Sequence, residues 1–281
     1  MKIKHFVRNI LIGCCVLITS SVKAQQYDQS MSIPSIALGN QSLLLGNSFS
    51  ALGNPAALTC SFSHLIPQNL IGITVSNKFF LHGLKLGGFG ISHKISNTDV
   101  CAITIQFEGT ANLRQTNIAF AYSKKVNDRF SLGISIIDIN VFEQTIGSEN
   151  KILGKAGICY QPSKLIQVAA TIYNPFATKL TSLSMERIPT FLAAGICYLV
   201  SKQVKVYAEY KLGLNSVRDF KLGLSYEPKP HVIIFGGYQN TNSPLSIGIT
   251  LKTKTINISI ASQYHQILGF SPAFGFDYEK K

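Results

Sequence analysis

From about Ile71 to Tyr278 the chain keeps a two-residue rhythm, in short segments where small or polar residues alternate with aliphatic or aromatic ones. Ile256, Ile258 and Ile260 alternate with Asn257, Ser259 and Ala261. Leu245, Ile247, Ile249 and Leu251 alternate with Ser246, Gly248 and Thr250. Successive residues of a β-strand point to opposite faces, so each segment has one apolar face and one polar or small face. An antiparallel barrel in a membrane requires that order, with lipid outside and a hydrated or filled lumen inside. A soluble β-sandwich would show the same alternation, so the pattern leaves location open.

The segments and the turn signals between them predict about fourteen strands, from 70–78 to 268–279, an even number as in single-chain outer-membrane barrels. Each is near the roughly 9–11 residues that a tilted membrane strand needs. The fifth and sixth are expected over 129–142 and 151–161. Ile136 and Ile137 break the alternation of the fifth and predict a β-bulge there. The turns at one end are short, which places that end in the periplasm. The opposite end holds 143–150 and the longest connection, 175–189.

A partial repeat supports this register: Ala156-Gly157-Ile158-Cys159-Tyr160-Gln161-Pro162-Ser163-Lys164 resembles Ala194-Gly195-Ile196-Cys197-Tyr198-Leu199-Val200-Ser201-Lys202. Tyr122 and Tyr226 precede turns at the same point of their own hairpins. Tyr122, Tyr160, Tyr198 and Tyr226 all fall on the apolar face, the arrangement of an aromatic girdle at the periplasmic interface. Ordinary strand tyrosines of a sandwich are the alternative.

The N-terminus bears on location. Lys2, Lys4 and Arg8 precede an apolar stretch from Ile10 to Ile18, and Val22-Lys23-Ala24 ends it in the small-x-small pattern of signal-peptide cleavage. Cleavage is expected after Ala24. A lipoprotein reading of Leu11-Ile12-Gly13-Cys14 is disfavoured because the apolar stretch runs on past Cys15. No later run approaches the roughly 20 apolar residues of a transmembrane helix, so a membrane-spanning mature chain must be a barrel. The expected division is 1–24 signal peptide, 25–69 a plug segment in the lumen, and 70–281 a barrel in the outer membrane of a Gram-negative bacterium. Only 14% of residues are charged and mean hydropathy is positive, which suits a surface that meets hydrocarbon.

The signal carries four of the 26 basic residues and none of the 13 acidic ones, so the formal net charge of +13 becomes +9 after cleavage. These charges are spread over turns with no arginine-rich cluster or basic helix, which argues against nucleic acid as a partner. Lys124, Lys125, Arg129, Lys164, Lys202, Lys229, Lys252 and Lys254 share one set of turns, where they meet either anionic lipid head groups or solvent. By parity, Lys205, Glu209, Lys211, Asp219 and Lys221 face the lumen and can pair there; structural packing is preferred to a substrate-guiding role. Cys159 and Cys197 also face inward and Cys101 faces lipid. Free packed thiols are expected, with a Cys159–Cys197 bridge as the alternative. The mature histidines, His64, His82, His93, His231 and His265, join no nucleophile or metal motif, so neither catalysis nor a metal or cofactor is expected.

Ahead of the first strand stands Ala51-Leu52-Gly53-Asn54-Pro55-Ala56-Ala57-Leu58. Asn54-Pro55-Ala56 resembles the motif of the FadL-like transporters and of the PorV/PorQ family, which share a fourteen-stranded outer-membrane barrel. The stretch Tyr264-His265-Gln266-Ile267-Leu268-Gly269-Phe270-Ser271-Pro272 is similar to the last hairpin of PorQ-type proteins. This resemblance implies a non-enzymatic component of type IX secretion that receives cargo or anchors a surface-attachment partner. The FadL side of it implies instead a passive channel for hydrophobic small molecules, with the N-terminal region taking part in gating; for this chain a static stopper is preferred to a gate. Short outer loops and a short N-terminal region favour the secretion component.

Overall fold

The computed structural model describes residues 31–60, 67–81, 83–145, 147–178, 188–214, 218–240 and 244–280. The expected signal peptide, its cleavage site, His64 and His82 lie outside the described residues. The described chain forms fourteen antiparallel strands: β1 (Asn69–Ser76), β2 (Lys85–Lys94), β3 (Asp99–Gly109), β4 (Leu113–Asn127), β5 (Phe130–Glu143), β6 (Gly147–Ser163), β7 (Ile166–Tyr173), β8 (Phe191–Leu199), β9 (Val204–Gly213), β10 (Arg218–Lys229), β11 (Val232–Gln239), β12 (Leu245–Lys252), β13 (Ile256–His265) and β14 (Gly269–Lys280). Each pairs with its sequence neighbours, and β1 pairs with β14 to close the barrel. Closure leaves no strand edge, so the wall satisfies its backbone hydrogen bonds internally, as hydrocarbon demands.

The alternation predicts which face is which. Along β3, Val100, Ala102, Thr104 and Gln106 are buried, while Ile103, Ile105 and Phe107 are exposed. Ile134, Ile152, Ile247 and Phe274 are all more than half exposed. A continuous belt of this kind is sustained by lipid and not by water, which removes the sandwich alternative. The chain is therefore a fourteen-stranded barrel of the outer membrane. Among the described residues no helix is long and apolar enough to cross a membrane.

Two sequence expectations about the wall are corrected. β4 and β5 pair in unbroken register through Ile136 and Ile137, without a bulge. Ile136 faces lipid and Ile137 is fully buried facing inward; its lumen-side neighbours include Ala51, Leu52 and Leu58, so the inward position is not polar. The segment 143–150 is largely strand: β5 and β6 continue as a ladder to Glu143↔Gly147. The polar run Ser148-Glu149-Asn150 has no apolar alternation because it stands at the barrel rim, beyond the lipid belt.

The core lies inside the barrel. Residues 31–60 pack against inward-facing side chains from almost every strand, and most of them are buried. This segment contains the helix α1 (Ile33–Ala37), whose first turn is capped by the Ser32 side chain, and a short 3-10 helix at Pro55–Leu58.

Candidate functional site

The site is built where residues 31–60 meet the inner wall. Asn54 caps the 3-10 helix: its Oδ1 accepts the Ala56 N–H at 3.1 Å. Its Nδ2 donates to the Leu43 carbonyl at 2.8 Å and to the Ile158 carbonyl of β6 at 3.3 Å. One fully buried amide thus holds the segment to itself and to the wall, and Pro55 fixes the backbone at the start of the turn. Close approach here requires glycine. A Cβ on Gly157 would stand 2.1 Å from Asn54 Oδ1, and one on Gly133 would stand 2.3 Å from the Ala56 nitrogen.

A second attachment is ionic. Glu209 and Lys221 are buried and paired at 2.9 Å, with Asp219 3.8 Å from the same ammonium. Glu209 Oε2 accepts the backbone N–H groups of Ser42 and Leu43, and Lys221 donates to the Asn40 carbonyl at 2.7 Å. Gln239 joins the set, donating to Asp219 and accepting from the Asn40 side chain. Of the five lumen charges expected from sequence, three meet in this network. Lys211 lies with its ammonium 3.7 Å from the centre of the Phe191 ring. Lys205 lies two inward positions from Glu209 toward the tyrosine end, near Cys197.

A third attachment is covalent and corrects the cysteine expectation. Cys159 is bonded to Cys60, at the end of the segment, while Cys101 and Cys197 are the free thiols among the described residues. Lys155 was not among the expected site residues. It is buried, donates to the Leu52 carbonyl at 2.7 Å, and has its ammonium 5.6 Å from the Tyr173 ring centre. Its parity with Cys159 already placed it inward; only its distance in sequence from the other charges hid it.

Beside these polar attachments the lumen holds an apolar lobe. Leu52 and Leu58 pack with Ile137, Ile139, Leu153 and Phe191. Tyr173 stacks on Phe191 with ring centres 4.6 Å apart. Toward the rim opposite the tyrosines, the feet of the 174–190 connection adjoin the lobe. Ile188 is buried within it, and Asn174 Nδ2 donates to the Ile188 carbonyl at 2.8 Å. No cluster of metal-ligating side chains occurs among the described residues.

Tyr122, Tyr160, Tyr198 and Tyr226 stand on the outer face, each near the same end of the barrel. The connections there are 95–98, 128–129, 164–165, 200–203, 230–231 and 253–255, whereas the other end has the two longest, 77–84 and 174–190, beside the shorter 110–112, 144–146, 214–217, 240–244 and 266–268.

No family model matches the sequence, and no curated protein matches it significantly. Solved structures do. CymD, a monoaromatic hydrocarbon channel, is similar at TM-score 0.69 and 13% identity over 91% of this chain and 99% of its own. The Pseudomonas putida toluene transporter TodX gives 0.68 and 11% over 92% and 100%. A Pseudomonas aeruginosa FadL homologue gives 0.57 and 10% over 94% and 99%. At such identities the likeness is one of architecture, and this chain has the fold of the FadL-like outer-membrane barrels.

Proposed function

We propose that the protein is a passive outer-membrane channel for hydrophobic small molecules, with residues 31–60 as its gate. The observation that carries this reading is the apolar lobe inside the barrel, bounded by Leu52 and Leu58 of the segment and by Ile188 near the opposite rim. Hydrophobic ligands are held among apolar side chains with a few placed polar groups, and displacement of Leu52 and Leu58 from this packed cluster would leave Ile137, Ile139, Leu153 and Phe191 as such a lining. Lys155, beside the stacked Tyr173, supplies a polar group at the edge of the lobe. The solved relatives named as hydrocarbon channels support the same class of cargo. This order reverses the preference drawn from short outer loops and a short N-terminal region.

A role in type IX secretion, as in PorV/PorQ proteins, is the second reading. It is favoured by the tethering of the lumen segment through a disulfide and a buried ion pair, since a barrel that anchors a partner needs no open path. Uptake of a radiolabelled monoaromatic hydrocarbon by cells lacking the protein separates the two. The channel reading expects slowed uptake, restored by the intact chain and made constitutively fast by a chain lacking residues 31–53. Unchanged uptake, with secreted proteins retained in the periplasm, contradicts it.

A further inference from the structure

The outer wall is not evenly convex. Across β6 to β9 the lipid-facing positions Ala156, Ala170, Ala194 and Ala208 run obliquely between larger neighbours; Ala170 is directly paired with Ala194. Two connected depressions follow this line, of about 640 and 470 Å³, sharing Ile158, Ala170, Ala194 and Tyr210 in their walls. Each lies within the roughly 300–1,000 Å³ of pockets that bury small ligands. The acidic residue at its floor, Glu209, belongs to an inward position and is paired with Lys221. The groove therefore presents an apolar surface to the membrane.

Its surroundings are ordered along the membrane normal. Tyr160 lines the groove toward the girdle end, Tyr198 stands beyond it on β8, and the exposed Lys164 and Lys202 occupy the two turns that close β6–β7 and β8–β9. An apolar slot, then phenolic hydroxyls, then cations matches the sequence of acyl chain, glycerol ester and phosphate in a phospholipid. Lysines at a membrane surface attract anionic lipid, each contributing about 1 kcal/mol.

We propose that this groove is a binding site for an anionic phospholipid of the periplasmic leaflet, one acyl chain lying over Ala170 and Ala194 and the phosphate held by Lys164 and Lys202. The site is separate from the lumen and does not depend on what the channel carries.

The chain contains no tryptophan, so a single introduced indole reports without background. Ile196→Trp places it on the groove. Ile249→Trp places it on another part of the wall, three residues from the end of its strand at the same barrel end, as Ile196 is. The full mature chain carrying either reporter is reconstituted in phosphatidylcholine bilayers containing a small fraction of dibrominated phosphatidylglycerol or, in parallel, dibrominated phosphatidylcholine. The site predicts that the brominated phosphatidylglycerol quenches the Ile196→Trp reporter at least about twofold more than the brominated phosphatidylcholine. That preference is smaller at the Ile249→Trp reporter, whose nearest turn also carries a lysine, Lys254, but which lines no groove, and it disappears at Ile196→Trp when Lys164→Gln and Lys202→Gln are added. Equal quenching by the two lipids at Ile196→Trp makes the groove ordinary annular surface and overturns the proposal. So does protection from both lipids, which means that protein covers the groove, and so does a preference that survives loss of both lysines.

Discussion

At the scale of single residues, the inner wall is specified by what approaches it. Gly157 and Gly236 are both strand glycines, yet only the first faces an atom of the lumen segment, Asn54 Oδ1. Gly157→Ala is expected to displace the Asn54 amide and loosen residues 40–58, read as faster amide hydrogen exchange there, while Gly236→Ala, which meets nothing within 4 Å, leaves exchange unchanged. Lys221→Met leaves Glu209 and Asp219 buried without their cation, a change that costs about 3–5 kcal/mol in comparable buried pairs. It is expected to lower the midpoint of thermal unfolding more than Lys229→Met, a substitution at the exposed end of β10. The sequence made Asn54, Glu209, Asp219 and Lys221 visible, because motif position and strand parity are local properties. It did not show that Lys211 turns to Phe191, since parity gives a face and not a partner.

At the scale of elements, the strands were legible because lipid imposes the period. Every wall residue contacts hydrocarbon or lumen, and that alternation survives wherever the outside is apolar. It fails at Gly147–Asn150, which pair beyond the belt, and it misleads at Ile137, where Leu52 and Leu58 make the inside apolar too. The segment 31–60 has no period at all, so nothing local placed Cys60 against Cys159, 99 residues away. Denatured, unreduced protein lacking residues 1–24 is therefore expected to react with an alkylating reagent at Cys101 and Cys197 only, and mass spectrometry to recover a peptide linking Cys60 to Cys159. Alkylation at Cys159 without reductant would contradict the covalent attachment. With the bond removed by Cys60→Ser, exchange is expected to rise over 54–60 while the β-ladders stay protected, because the wall is closed by its own hydrogen bonds.

At the scale of the molecule, a wall made to face lipid surrounds an interior divided between polar attachments and an apolar lobe. The attachments run from Asn40 through Asn54 to Cys60, so the lumen segment is held at several points and cannot leave as a unit while the disulfide persists. Opening in this account means release of the Asn40–Leu43 contacts and of the Leu52 packing, with Cys60 as the fixed end. The fold follows from alternation, whereas the choice between cargo classes depends on which side chains meet in the lumen, a property of three-dimensional packing.

The most direct test is purification of the tagged protein from its native outer membrane in mild detergent, with mass spectrometry of every protein, lipid and small molecule that stays bound. The account predicts recovery of the barrel without stoichiometric protein partners and with hydrophobic small molecules enriched over bulk membrane lipid, an enrichment reduced by Leu153→Lys in the lobe. Stoichiometric secretion components or secreted cargo, with no such enrichment, would contradict it.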